Sequence, residues 1–134
     1  MRYEFRGREH TTGSWVYGNL LIEEGDAGVE KQYFIVHPKK GTYIYDRCKV
    51  YPETVSMWTD YEDKIGTQIF EKDIVRDKKG KLFVIAWNRR RCGFVAKYVD
   101  HDDFEAFDEE FVFYHELEVA GNIHNNPGLF EVQK

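Results

Sequence analysis

Asp73-Ile74-Val75-Arg76-Asp77-Lys78-Lys79-Gly80-Lys81-Leu82-Phe83-Val84-Ile85-Ala86-Trp87 sets two apolar runs on either side of a charged tip. Gly80 permits the left-handed backbone of a tight turn, and Lys78, Lys79 and Lys81 keep the tip soluble, so the run predicts a β-hairpin. A second polar connection, Asn88-Arg89-Arg90-Arg91-Cys92-Gly93, leads into Phe94-Val95-Ala96-Lys97-Tyr98-Val99. On that strand Phe94, Ala96 and Tyr98 share one face, and Val95, Lys97 and Val99 the other. Three strands joined by short tips make a meander, and the meander predicts a small barrel.

Before this region the turn signals Arg6-Gly7, Thr12-Gly13, Gly25-Asp26 and Lys40-Gly41 separate short runs rich in Val, Ile, Tyr and Phe. They predict strands at Trp15 to Ile22 and Gln32 to Val36, with shorter ones at Tyr43 to Tyr45 and Thr54 to Trp58. Pro38 and Pro52 fall between runs, where a missing donor harms no ladder. After the meander the pattern is mixed. Phe104, Phe107 and Phe111 have helical spacing, whereas Phe111, Phe113, His115, Leu117 and Val119 alternate. The alternation predicts a long strand from Glu110 to Val119, preceded by a loop or single helical turn over Asp103 to Asp108. Asn126-Pro127 predicts a short terminal turn of helix. Period-two patterning puts Ile74, Val84, Ala86, Phe94, Ala96 and Phe113 in the core and leaves Lys78, Lys79 and Arg90 in solvent.

Composition agrees with a β-rich globular domain. The 134 residues include three Trp, nine Tyr and ten Phe, a ring content that favours sheet and excludes disorder. A chain of this length buries roughly two thirds of its unfolded surface, so it needs no disulfide or metal staple. Cys48 and Cys92 lie far apart with no C-x-x-C spacing, which predicts reduced thiols, with Cys92 inert beside its turn. Met1 to Arg6 has no apolar signal region, and the longest apolar run, Leu82 to Trp87, is far below the ~20 residues of a membrane span. The reading is a cytoplasmic protein with no membrane association.

From Val50 onward the residues carry a resemblance. Val50-Tyr51-Pro52-Glu53-Thr54-Val55, Asp63-Lys64-Ile65-Gly66-Thr67, Ile69-Phe70-Glu71-Lys72-Asp73-Ile74-Val75 and Val119-Ala120-Gly121-Asn122-Ile123-His124-Asn125-Asn126-Pro127 together resemble the YopX family. In that family the corresponding strings are a PETVGQYTG segment, a DKNGK turn, an IYEGDIV strand entry and a VIGNIYENPELL end. Trp15-Val16-Tyr17-Gly18-Asn19-Leu20 is similar to an amino-terminal segment of one branch. Ile65, Lys72 and His124 stand at the family's usual Asn, Gly and Tyr, and a bulky Lys72 argues for ordinary backbone there. The resemblance implies a mainly β protein of phages or prophages of Gram-positive bacteria, with no catalytic residues to carry over. Read on their own, Asp63 and Gly66 are turn chemistry, and Gly121 marks a bulge or a close approach.

Charge is unevenly placed. Residues 64–97 hold ten basic residues against three acidic, a balance of +7, and residues 98–118 hold nine acidic residues with no Lys or Arg, a balance of −9. The whole chain carries −5. One reading makes these solvated faces that partly neutralise each other in the fold. A sharper one brings Lys78, Lys79, Lys81, Arg89, Arg90 and Arg91 together on adjacent tips, a nucleic-acid contact with Trp87 beside it. His101, with Asp100, Asp102 and Asp103, is the one cluster resembling metal ligands, and it lacks partners at metal-binding spacing. No phosphate loop, dinucleotide fingerprint or serine elbow occurs, so no cofactor and no catalytic residue is assigned.

The expected architecture is mainly β, of antiparallel strands with little helix. Residues 61–134 form a small Src-homology or Tudor-like barrel, and residues 1–60 form a β segment packing on it. The leading function is a non-enzymatic phage accessory protein acting through self-assembly as a homo-oligomer or through a phage or host protein partner. A nucleic-acid-binding module ranks second, and a metal-dependent enzyme third.

Overall fold

The hairpin at 73–87 forms, and the meander extends from it. A computed structural model describes residues 4–38, 45–126 and 128. The chain divides into two units, Met1–Trp58 and Thr59–Lys134.

In the first unit, β1 (Phe5–Arg8), β2 (Trp15–Glu23), β3 (Gln32–Pro38), β4 (Tyr45–Lys49) and the start of β5 (Ser56–Glu62) make an antiparallel sheet in the order β4-β3-β2-β1-β5. A 3-10 turn at Pro52–Thr54 precedes β5, so the expected strand at Thr54 begins two residues later. Ile35 and Val50 are fully buried here. Gly18 is required, because a Cβ there would meet the Val36 carbonyl. Tyr43, Ile44 and Pro127 lie outside the described residues, as does the helical turn expected at Pro127. Of the strand expected at Tyr43 to Tyr45, Tyr45 is described and opens β4.

In the second unit, β6 (Gln68–Phe70) lies beside the end of β5, whose Thr59 Oγ1 donates to Ile69 O at 2.6 Å. A five-stranded sheet follows in the order β10-β9-β8-β7-β11, from β7 (Asp73–Arg76), β8 (Leu82–Asn88), β9 (Gly93–Tyr98), β10 (Phe104–Ala106) and β11 (Glu118–Asn122). Every pairing in it is antiparallel. The sheet is open, with β10 and β11 at its edges, so the barrel expected here does not close by backbone pairing.

Both faces of this sheet are covered, which is why Leu82 to Ile85 read as a continuous apolar run. Val75, Phe83, Ile85 and Ala96 pack with Ile69, Phe107, Phe111 and Leu117 on one face. Ile74, Leu82, Val84 and Val99 pack with Ala120 and Ile123 on the other. Ile74, Val84 and Ala96 are buried as expected, whereas Ala86 and Phe94 are half-buried.

The segment after the meander corrects the sequence reading. Residues 104–106 are a strand, and Glu110 to Val119 is split into α1 (Glu109–His115) and β11. Asp108 caps the helix, its Oδ1 accepting from Phe111 N at 2.9 Å. Phe107 and Phe111 enter the core at helical spacing, and Phe113 is left 85% exposed instead of buried. The alternation from Phe111 to Val119 ran across a helix and a strand.

Candidate functional site

Two turns of one design organise the second unit. Asp63-Lys64-Ile65-Gly66-Thr67 and Asp77-Lys78-Lys79-Gly80-Lys81 share the pattern D-K-x-G-x. In each, the Asp Oδ1 accepts two backbone N–H groups, those of Ile65 and Thr67 in one and of Lys79 and Lys81 in the other, at 2.8–3.0 Å. Gly66 and Gly80 carry φ of 90° and 85°, where a Cβ would be strained. Each Lys donates its backbone N–H to the end of α1 or the chain just after it, Lys78 to His115 O at 3.0 Å and Lys64 to Leu117 O at 2.9 Å. The remaining carboxylate oxygens reach the same segment. Asp63 Oδ2 accepts from Val119 N at 3.0 Å, and Asp77 Oδ2 lies 3.4 Å from His115 Nδ1. The repeated turn thus fixes the end of α1 and the start of β11 to the hairpin.

The Asp77 turn is also one wall of a cavity of about 380 Å³. Buried Phe83 and Leu82 line it together with Tyr98, Tyr114 and His115. His115 packs tilted against Phe111 with centroids 4.1 Å apart, so its ring is held by both core and turn. Lys78 Nζ stands 4.6 Å from the Tyr114 ring centroid and Lys81 Nζ 5.2 Å from that of Tyr98. Their carboxylate partners are distant, Glu116 at 3.9 Å from Lys78 and Asp100 at 4.0 Å from Lys81. The Tyr98 hydroxyl donates to Glu105, and that bond pushes its pKa up to about 12. Asp100 is held below the usual carboxylate range, chiefly by its bond to His101 Nδ1 at 2.6 Å.

The structure separates the basic residues that the sequence grouped. Lys78, Lys79 and Lys81 precede β8, whereas Arg89, Arg90 and Arg91 follow it. A seven-residue strand lies between them, a span of roughly 20 Å. They are therefore not one patch on adjacent tips. Successive connections of a meander lie at opposite ends of the shared strand. At the arginine end Trp87 is 44% exposed and stacks edge-on against Phe94, with centroids 5.2 Å apart. Arg91 lies 5.8 Å from the Phe104 ring centroid. Cys92 is exposed at φ 50°, and both cysteines are free; burial, then Glu9 and Asp46, raise the pKa of Cys48.

The +7 and −9 segments meet within the second unit through Lys64–Glu118 at 3.5 Å and the two longer pairs already named. Asp103 Oδ1 accepts from Phe104 N, and His101 is paired with Asp100. Among the described residues no three His, Cys, Asp or Glu side chains are grouped to hold a metal ion. No described helix is long and apolar enough to cross a membrane. Sequence reasoning missed His115 as a cavity residue, although the repeated D-K-x-G-x string was a legible sign that 77–81 was more than a hairpin tip.

The YopX protein family matches residues 4–131, nearly the whole chain. The chain belongs to the YopX family. The crystal structure of protein EF1440 from Enterococcus faecalis is similar to it, with a TM-score of 0.60 and 22% identity, over 98% of this chain and 99% of that one. At that identity the likeness is one of fold. A search of the curated proteins found no match.

Proposed function

We propose that this YopX-family chain is a non-enzymatic accessory protein of a phage or prophage, acting in the host cytoplasm through protein–protein contacts, self-assembly foremost. The observation that carries this reading is Phe113, 85% exposed in the middle of α1 and followed by Tyr114 at 62%. A helix that presents two aromatic rings to solvent bears apolar area whose burial is worth about 1.5–3 kcal/mol per side chain. Phe113 borders two hollows of about 560 and 570 Å³; Glu62 and Glu116 share the rim of the first with Lys64 and Lys78, whereas Asp108, Glu109 and Glu110 give the second a wholly acidic rim. The partner that fits is basic with an apolar component.

A second copy offers such a surface in exposed Trp87 beside Arg89, Arg90 and Arg91. The contact is heterologous, acidic helix face against basic tip, and closes into a ring if the rotation permits. Exposed ion pairs supply only about 0–1 kcal/mol each, so the rings provide the affinity and the charges the register.

Sedimentation velocity over a range of protein and salt concentrations tests the reading. Wild type should sediment as an assembly that weakens as salt rises, and Phe113→Ser should return it to a 16.0 kDa particle. A 16.0 kDa wild type under every condition, or an assembly indifferent to both Phe113→Ser and reversal of the three arginines to Glu, overturns it.

A further inference from the structure

We infer that the cavity beside the Asp77 turn binds a small phosphate monoester that carries an aromatic base, the chemistry shared by a mononucleotide and the 5′-phosphorylated end of a nucleic-acid strand. The cavity shares Tyr114 and Lys78 with the surroundings of the contact surface on α1, but the inference does not rest on that surface, and its test follows the lysines and not Phe113.

The cation arrangement is the first reason. Lys78, Lys79 and Lys81 all line the cavity, and a turn of five residues holds them close together. Their backbone N–H groups are already used. Those of Lys79 and Lys81 go to Asp77 Oδ1, that of Lys78 goes to His115 O, and that of Gly80 goes to Asp77 O. An anion here is therefore bound by ammonium groups and not by a backbone nest. Those groups have donors to spare. The carboxylates nearest Lys78 and Lys81 stand at 3.9 and 4.0 Å, beyond hydrogen-bond length. Asp77 does not compete for them, since its oxygens face two backbone donors and His115 Nδ1.

The second reason is the body of the cavity. At about 380 Å³ it exceeds what a bare phosphate fills and falls in the range of small-molecule sites. Tyr98, Tyr114 and His115 present rings to it above fully buried Phe83, and offset or edge-on contact with a bound ring is the favoured geometry of these three. With His115 Nδ1 facing Asp77, Nε2 is the ring nitrogen left to the ligand. Tyr98, like any tyrosine, is protonated at neutral pH and adds no negative charge.

Amide-resolved NMR titration of the full chain tests the inference, with adenosine 5′-monophosphate, inorganic phosphate and a 5′-phosphorylated dinucleotide as probes. The monophosphate should shift Lys78 to Lys81, Phe83, Tyr98 and His115 together, and inorganic phosphate should bind about tenfold more weakly. Lys79→Ala and Lys81→Ala should each weaken binding about fivefold, while Lys97→Ala on the exposed side of β9 leaves it unchanged. The spectra themselves report that each variant is folded. Tighter binding of the dinucleotide at the same residues assigns the site to a strand end, and equal or weaker binding assigns it to a free nucleotide; both support the phosphate site. Absence of shifts up to about 10 mM monophosphate, equal affinity for inorganic phosphate, or shifts centred on Arg89 to Arg91 overturns it.

Discussion

Lys72 carries a left-handed backbone at φ 71°, in the turn between β6 and β7. The conformation is held from both sides, by Lys72 N donating to Ile85 O at 2.7 Å and Lys72 O accepting from Ile123 N at 3.1 Å. The ordinary backbone that a bulky residue argued for is overruled by these two bonds. An L side chain in this region costs roughly 1–2 kcal/mol, and Gly gives part of that back as chain entropy. Lys72→Gly, the residue usual in the family's string, should therefore stabilise the protein by about 0.5–1 kcal/mol in urea unfolding. An unchanged or lowered midpoint would show that Lys72's side-chain contacts outweigh the strain. A second single-residue test concerns Tyr98. Between the ordinary tyrosine value near 10 and about 12, the folded protein keeps a proton that the unfolded chain has lost. Stability linked to this group is full below that window and falls as pH rises through it. Glu105→Gln removes the largest cause, and the phenolate absorbance of Tyr98 should then titrate nearer the ordinary value. A titration identical to wild type would detach Glu105 from the shift.

At the scale of elements, the two Asp turns are fasteners for the chain between α1 and β11. Asp63 is buried with three backbone donors on its carboxylate, and Asp63→Ala leaves these unsatisfied, at a cost of about 2–4 kcal/mol. Asp77→Ala loses two backbone bonds and the His115 contact, and should cost less, about 1–3 kcal/mol. Hydrogen exchange distinguishes the two, because Asp63→Ala should release the Val119 amide first while Asp77→Ala releases Lys79 and Lys81. Global loss of protection in either variant, with no local order, would contradict separate fasteners. The turns and strands of the meander were legible because period-two patterning and Asp/Gly chemistry act locally. Helix α1 was not. Its seven residues are too short to express an amphipathic period, and the exposed Phe113 counterfeited the alternation of a strand. The capping signal was present all the same, Asp108 followed by Glu109 and Glu110. The bulge at Gly121 was read correctly, as the register shift between Val119 and Gly121 shows. A Cβ at Gly121 would also meet the Asn126 side chain.

For the molecule as a whole, the charge tally was legible and its placement was not, because placement depends on which end of β8 each tip occupies. Six cations grouped on one patch would release about five or six counterions on binding duplex DNA, whereas three would release about three. If the chain binds nucleic acid through a single tip, the logarithm of affinity should fall with the logarithm of salt at a slope near −2.7, which is about 0.9 for each of three phosphates. Charge reversal then separates the tips. Reversing Lys78, Lys79 and Lys81 to Glu should abolish a contact made at the lysine end and leave one made beside Trp87 intact, and reversing Arg89, Arg90 and Arg91 should do the opposite. The arginine reversal should not unfold the domain, since exposed changes away from caps and partners usually move stability within about 0.5 kcal/mol. The lysine reversal sets new carboxylates against Glu116 and Asp100, so a thermal melt of that variant accompanies its binding measurement. A slope near −5, with each reversal abolishing binding by itself, would mean that one strand bridges both ends of β8. The absence of binding to single- or double-stranded DNA or RNA at low salt would remove nucleic acid from the protein's partners and leave the exposed rings of α1 as its contact surface.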